Sequence, residues 1–269
     1  MLQSVLGRRA GRSDWPWALL GVLVLAQICY PLTSGGTRAA FTVATVVIGY
    51  LLSVTHALLS RGPRAALALV GAATLGGFAV EAIGVATGFP FGTYVYSGQL
   101  GPKLLGVPLI IPLAWTWMAW PAWLAAQRLP IARWARVGVA AFGLAAWDLF
   151  LDPQMVAEGY WRWLSPTPAL PGVPGIPVGN YLGWLGFAVV LMTALSHFSR
   201  VHEPRPGDAP MLGLWFWTYA SSVLAHAVFL SLPASAAWGG VLMGAAVLPV
   251  AIRLLIPARP GADLRRVRP

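Results

Sequence analysis

Eight acidic residues are scattered through this 269-residue chain, and four of them, Glu81, Asp148, Asp152 and Glu158, fall in or beside long apolar runs. An ionised carboxylate in hydrocarbon costs several kcal/mol, so an acid there points to function. Glu81 lies in GGFAVEAIGV, with no Lys or Arg within one helical turn. Desolvation favours its neutral form, and a neutral carboxylic acid can hand a proton to a substrate. The plainer alternative is a hydrogen bond to a neighbouring helix. Asp148 and Asp152, in WDLFLDP, are four residues apart and share one helical face. Two carboxyls that close repel when both are ionised, so one is expected to keep a proton. Such a pair suits acid–base work or a divalent cation. Because Asp152 precedes Pro153, a helix-ending turn at the membrane surface is its structural alternative. Glu158 reads as a loop surface charge. His226, in YASSVLAHAVF, sits well inside an apolar run at the level of the acids, where it can bond to another helix or serve the site. Trp115, Trp117, Trp120 and Trp123 are too spread in depth to be an interface belt alone. They can line an apolar cavity whose aromatic faces stabilise a cation, or simply pack.

The elements that must carry these groups are transmembrane helices. Hydrophobic residues make up 58% of the chain and charged residues 10%. Mean hydropathy is +0.70. A water-soluble fold cannot hide that much apolar surface. Eight apolar runs, near the length needed to cross a bilayer, are expected at about 15–32, 40–60, 65–88, 104–127, 133–151, 180–199, 211–232 and 236–256. The net charge of +10 does not signal nucleic acid, because the basic residues lie in short segments between these runs. With the N-terminus in the cytoplasm, fifteen of the basic residues fall inside, and only Arg38, Lys103 and Arg162 fall outside. That bias favours eight spans with both termini cytoplasmic. The expected organisation is a basic N-terminal segment over 1–14, a transmembrane catalytic domain over 15–256 and a basic tail over 257–269. The first run reads as a span rather than a cleaved leader, since no small-residue cleavage pattern follows Tyr30-Pro31.

All four membrane-associated acids then map to one side, with two long outer loops, 89–103 and 152–179, rich in Gly, Pro and aromatics. Loops of this kind either turn over the surface or line a site. An internal echo links them. Glu81 precedes a GVP by 25 residues, and Asp148 precedes another by 24. Each unit reads as a helix with an acid, an outer loop, GVP and a helix, as a duplication or a coincidence would leave it. Phosphate loops, G-x-G-x-x-G, histidine clusters and a serine elbow are all missing from the sequence. Cys29 is the only cysteine, which excludes an internal disulfide and a cysteine-rich metal site. No cofactor and no metal are expected. The remaining pattern is carboxyl groups beside an aromatic cavity, suited to acid catalysis on an apolar lipid.

The runs EAIGVATGFPFGTYVYSGQLGPKLLGVPLIIPLAW (81–115), WDLFLDPQMVAEGYWRW (147–163) and GVPGIPVGNYLGWL (172–185) resemble the membrane-bound carotenoid 1′,2′-hydratases, which include bacterioruberin-type and γ-carotene hydratases. The resemblance spans roughly residues 40 to 250. It implies a multi-helix membrane enzyme that adds water across the terminal double bond of an acyclic carotenoid end, giving a tertiary alcohol. Glu81, the Gly88–Tyr96 stretch, Asp148, Asp152, Asn180 and Trp184 stand where that family's motifs have recurring residues. The resemblance implies a carotenoid substrate such as lycopene, γ-carotene or a bacterioruberin precursor, contact with membrane lipid, and other carotenoid-pathway enzymes as partners. It also implies a multi-pass location in the cell membrane. The chemistry assigns Glu81 or the Asp148/Asp152 pair as the acid, with the other carboxyl orienting water. Asn180, Tyr94 and Tyr96 are candidates to hold that water, and Trp115, Trp184 and His226 to shape the site. A lycopene-type cyclase using the same protonation, and a non-enzymatic carotenoid or lipid binder, are the competing readings. A prenyl transferase would need aspartate-rich diphosphate motifs that the chain does not offer.

Overall fold

The computed structural model describes residues 14–199, 201 and 203–256. Among them, eight helical rods follow one another. They are α1 (Trp15–Cys29, closed by a tight turn at Tyr30–Leu32), α2 (Gly35–Arg61), α3 (Pro63–Thr87), α4 (Ile111–Ala126), α5 (Arg133–Ala157), α6 (Val178–Phe198), α7 (Pro206–Phe229) and α8 (Pro233–Leu255). All but α4 are long and apolar enough to cross a membrane. The protein is an all-α polytopic bundle and a multi-pass membrane protein. The basic tail, and all of the N-terminal segment except Asp14, lie outside the described residues.

Helix α4 explains why one rod can be short. Every residue in it except Leu113 is buried, packed among α2, α3, α5 and α7. Its surface meets protein instead of lipid, so it need not match the hydrocarbon thickness. The expected span 104–127 is therefore corrected to Ile111–Ala126. Residues 103–108 form a hairpin, β2 (Lys103–Leu104) with β3 (Val107–Pro108). Its turn places Leu105 at φ +49° and Gly106 at φ +82°, which no helix continues through.

The second correction concerns the fifth span, expected to stop at 151. Helix α5 runs on to Ala157 straight through Pro153, so Asp152 sits inside a helix and not in a terminal turn. Proline removes the N–H that would bond to the carbonyl four residues back, here Leu149. The Ser235 hydroxyl on α8 donates to that carbonyl at 2.6 Å, and the His226 ring lies 2.8 Å from the same hydroxyl. Helix α4 meets the same difficulty at Pro121, and there Ser53 on α2 donates to the freed Trp117 carbonyl at 2.8 Å. Neighbouring helices thus satisfy the backbone groups that proline frees, as a membrane interior demands.

The two long loops fold against each other. Strand β1 (Tyr94–Tyr96) pairs antiparallel with β4 (Trp161–Trp163), matching Tyr94 to Trp163 and Tyr96 to Trp161. A further hairpin, β5 (Ala169–Leu170) with β6 (Val173–Pro177), leads into α6. The order helix, strand, hairpin, helix therefore occurs twice, as α3–β1–β2–β3–α4 and as α5–β4–β5–β6–α6. The echo between the Glu81 and Asp148 units extends to their secondary structure.

Candidate active site

Beneath the β1–β4 ribbon lies a partly open cavity of about 140 Å³. Of the expected site residues, Glu81, Tyr94, Tyr96, Asp152, Asn180, Trp115 and Trp184 line it. Asp148 and His226 do not.

Glu81, on α3, is buried and is the meeting point of three donors. The Tyr94 hydroxyl donates to Oε2 at 2.6 Å, the Tyr96 hydroxyl to the same oxygen at 2.9 Å, and Trp115 Nε1 to Oε1 at 3.1 Å. Alternation along β1 sends Tyr94 and Tyr96 to the same face, which is why a short strand delivers both phenols to one carboxyl. Burial, and then the Glu81 carboxyl beside them, hold both phenols above their ordinary values, so they keep their protons and remain donors. Two glycines let the loop settle this deep. A Cβ on Gly84 would stand 2.8 Å from the Tyr94 hydroxyl, and one on Gly183 would stand 2.6 Å from the Pro90 carbonyl.

The second carboxyl centre is on α5. Asn180, near the start of α6, donates from its one amide nitrogen to Asp148 Oδ2 at 2.8 Å and to Asp152 Oδ2 at 2.5 Å. Trp161 Nε1, from β4, donates to Asp152 Oδ1 at 3.1 Å. Both oxygens of Asp152 are therefore held and the residue faces the cavity. Asp148 is fully enclosed behind it, and its Oδ1 makes no hydrogen bond. A bridged carboxyl pair of this kind can share a proton between its members.

Aromatic rings close the space between the two centres. Trp115 and Trp184 stack with centroids 3.8 Å apart, and Trp147 packs edge-on against Trp184 and Trp117. Of the four tryptophans on α4, Trp115 and Trp117 line the cavity. Trp120 instead donates to His56 at 2.9 Å.

His226 lies one layer back. Its ring touches Ser235 and lies 3.2 Å from the Gln154 side-chain oxygen, so it supports the proline-interrupted part of α5. Glu158 makes an ion pair with Arg38, whose guanidinium also donates to the Thr33 carbonyl. The pair ties the α1–α2 turn to the end of α5. Trp161, Trp163 and Gln154 are cavity residues that the sequence reading did not single out. A signal for the first two was present. YVY and WRW are both aromatic–x–aromatic, and each starts 13 residues after an acid, Glu81 or Asp148. That alternation marks two strands offering aromatic side chains on one face.

Residues 39–252 match the family described as "carotenoid biosynthesis protein". The chain is also 39% identical over 156 residues to a curated protein named bisanhydrobacterioruberin hydratase, from Haloarcula japonica; that match covers 55% of this chain and 51% of the relative. The chain thus spans about half the length of that relative. No solved structure matches it. The family match takes in both acid-bearing helices and the paired loops, and covers well over half of the sequence: the chain belongs to the carotenoid biosynthesis protein family.

Proposed function

We propose that this protein hydrates the terminal 1′,2′ double bond of an acyclic carotenoid end group, in a cell membrane and without a cofactor. The observation that carries this reading is the pair of differently held carboxyl centres facing one aromatic cavity. Glu81 accepts three hydrogen bonds, two of them from phenols on one oxygen, and has no second carboxyl beside it to share a proton with. Asp152 faces the cavity and is backed by a second carboxyl able to share and restore its proton.

Asp152 is therefore the acid and Asp148 its proton partner, with Asn180 holding the pair together. The π electrons of the double bond take the Asp152 proton onto carbon 2′, leaving a tertiary cation at carbon 1′. Glu81 and the faces of Trp115 and Trp184 stabilise that charge. A water oxygen then forms the C–O bond, and its surplus proton returns to the carboxyl pair. The sum is addition of one water, with the acid regenerated. Tyr94 and Tyr96 position Glu81 and close the site from above.

The test is an anaerobic reaction of purified protein with an acyclic carotenoid in deuterium oxide enriched in oxygen-18. Hydration yields a tertiary alcohol with one new deuterium and one oxygen-18. A ring carrying deuterium and no oxygen would identify a cyclase. Recovery of unchanged carotenoid would identify a binder, and product formed only under air would exclude the proposed mechanism.

A further inference from the structure

The far wall of the same cavity is unlike the aromatic zone around Glu81. It is built from hydroxyl and amide side chains of four helices: Tyr30 at the end of α1, Thr42 on α2, Gln154 on α5, and Thr218 and Ser222 on α7. None of these takes part in the carboxyl centres. Tyr30 is 6% exposed and Thr218 is 2% exposed; Thr218 Oγ1 makes no hydrogen bond, and the Tyr30 hydroxyl has only the Gln154 and Thr42 side chains of the same wall beside it. Polar atoms buried to this degree are almost always paired, with protein or with water. An unpaired buried hydroxyl on a wall of hydroxyl and amide groups marks a place built for a small partner that both donates and accepts.

Trp217, the residue before Thr218, donates to Gln27 Oε1 at 2.7 Å, which sets Thr218 beside the last turn of α1, near Tyr30. Tyr30 stands at the loop end, its ring under the Arg38 guanidinium at 5.5 Å. The polar groups of the wall thus gather around the end of α1. They are neutral hydroxyls and an amide, which suits an uncharged ligand.

We infer that this wall, anchored by Tyr30 and Thr218, is the site that holds the reacting water and delivers it to the cation. The inference rests on the hydration reading and deepens it. A hydratase embedded in lipid must bring water to one carbon from a fixed direction, and water is stable in a cavity only where it finds two to four polar partners. Placed on this wall, the water shares one cavity with the cation and with Asp152, which takes back the surplus proton.

Tyr30→Phe and Thr218→Val remove the hydroxyls while nearly keeping shape. The double variant is assayed in deuterium oxide enriched in oxygen-18, and two products are measured: alcohol, and unhydrated carotenoid that has gained deuterium by reversible protonation. Alcohol should fall about tenfold, the scale of one or two lost neutral hydrogen bonds. Deuterium in the recovered carotenoid should hold or rise, which also reports an intact acid and a folded protein. Alcohol and deuterium falling together, or alcohol unchanged, would overturn the water site. A KM increase confined to a hydroxyl-bearing carotenoid, with the partition unchanged, would make the wall a subsite for substrate hydroxyl and overturn it as well. Failure of the hydration reading looks different, since wild-type protein itself would then give no alcohol.

Discussion

The two aspartates on α5 share a helical face, but only Asp152 reaches the cavity, and this difference predicts unequal effects of the same substitution. Asp152→Asn keeps one oxygen, which can accept from Asn180 or from Trp161 but not from both, so one of the hydrogen bonds of 2.5 and 3.1 Å is lost while the side chain keeps its shape. Also lost is the proton donor itself, worth roughly 10²- to 10⁴-fold in rate. Asp148→Asn leaves Asp152 in place. An amide at 148 can still accept from Asn180, and its nitrogen would occupy the position of an oxygen that now has no partner. That variant loses the shared proton but not the donor, so a decline of about tenfold is expected, the worth of about one hydrogen bond. The assay is alcohol formed per minute by equal amounts of folded, detergent-purified protein with one acyclic carotenoid. Equal losses in the two variants, or a larger loss in Asp148→Asn, would refute the assignment of Asp152 as donor and Asp148 as its support.

Three further outcomes follow from the geometry. Glu81→Gln should lower turnover about a hundredfold, and Tyr94→Phe about tenfold or more, since a hydrogen bond to a charged group is worth about 1.5–3 kcal/mol; Glu158→Gln, which does not line the cavity, should leave turnover near wild type, and the three rates measured side by side check this order. Ser235→Ala should cost about 1–3 kcal/mol of stability by leaving the buried Leu149 carbonyl without its donor, read as a lower midpoint in thermal unfolding in detergent. Reporter fusions after residues 36, 100 and 170 should report outside and those after 62, 130 and 205 inside; a cytoplasmic signal at 170 would reverse the orientation proposed for the site.

The apolar spans and the acids inside them are legible in the sequence because both are local energetic statements. A run of about twenty apolar residues can be read without knowing its neighbours. So can a carboxyl stranded within one, and the same logic made Asp148 and Asp152 a pair. Long-range packing decided the rest. Helix α4 is short because protein surrounds it, which hydropathy along one segment cannot report. Helix α5 survives Pro153 because Ser235, distant in sequence, supplies the missing donor. Four-residue spacing puts two aspartates on one face but leaves open which meets the cavity. Asn180 and Trp161 settle that by where α6 and β4 come to lie. The three donors on Glu81 depend on a strand inside a loop, and the hydroxyl wall on four helices meeting at Tyr30 and Thr218. Composition and periodicity record what each segment prefers, whereas a site built between segments exists only once their faces have been packed together.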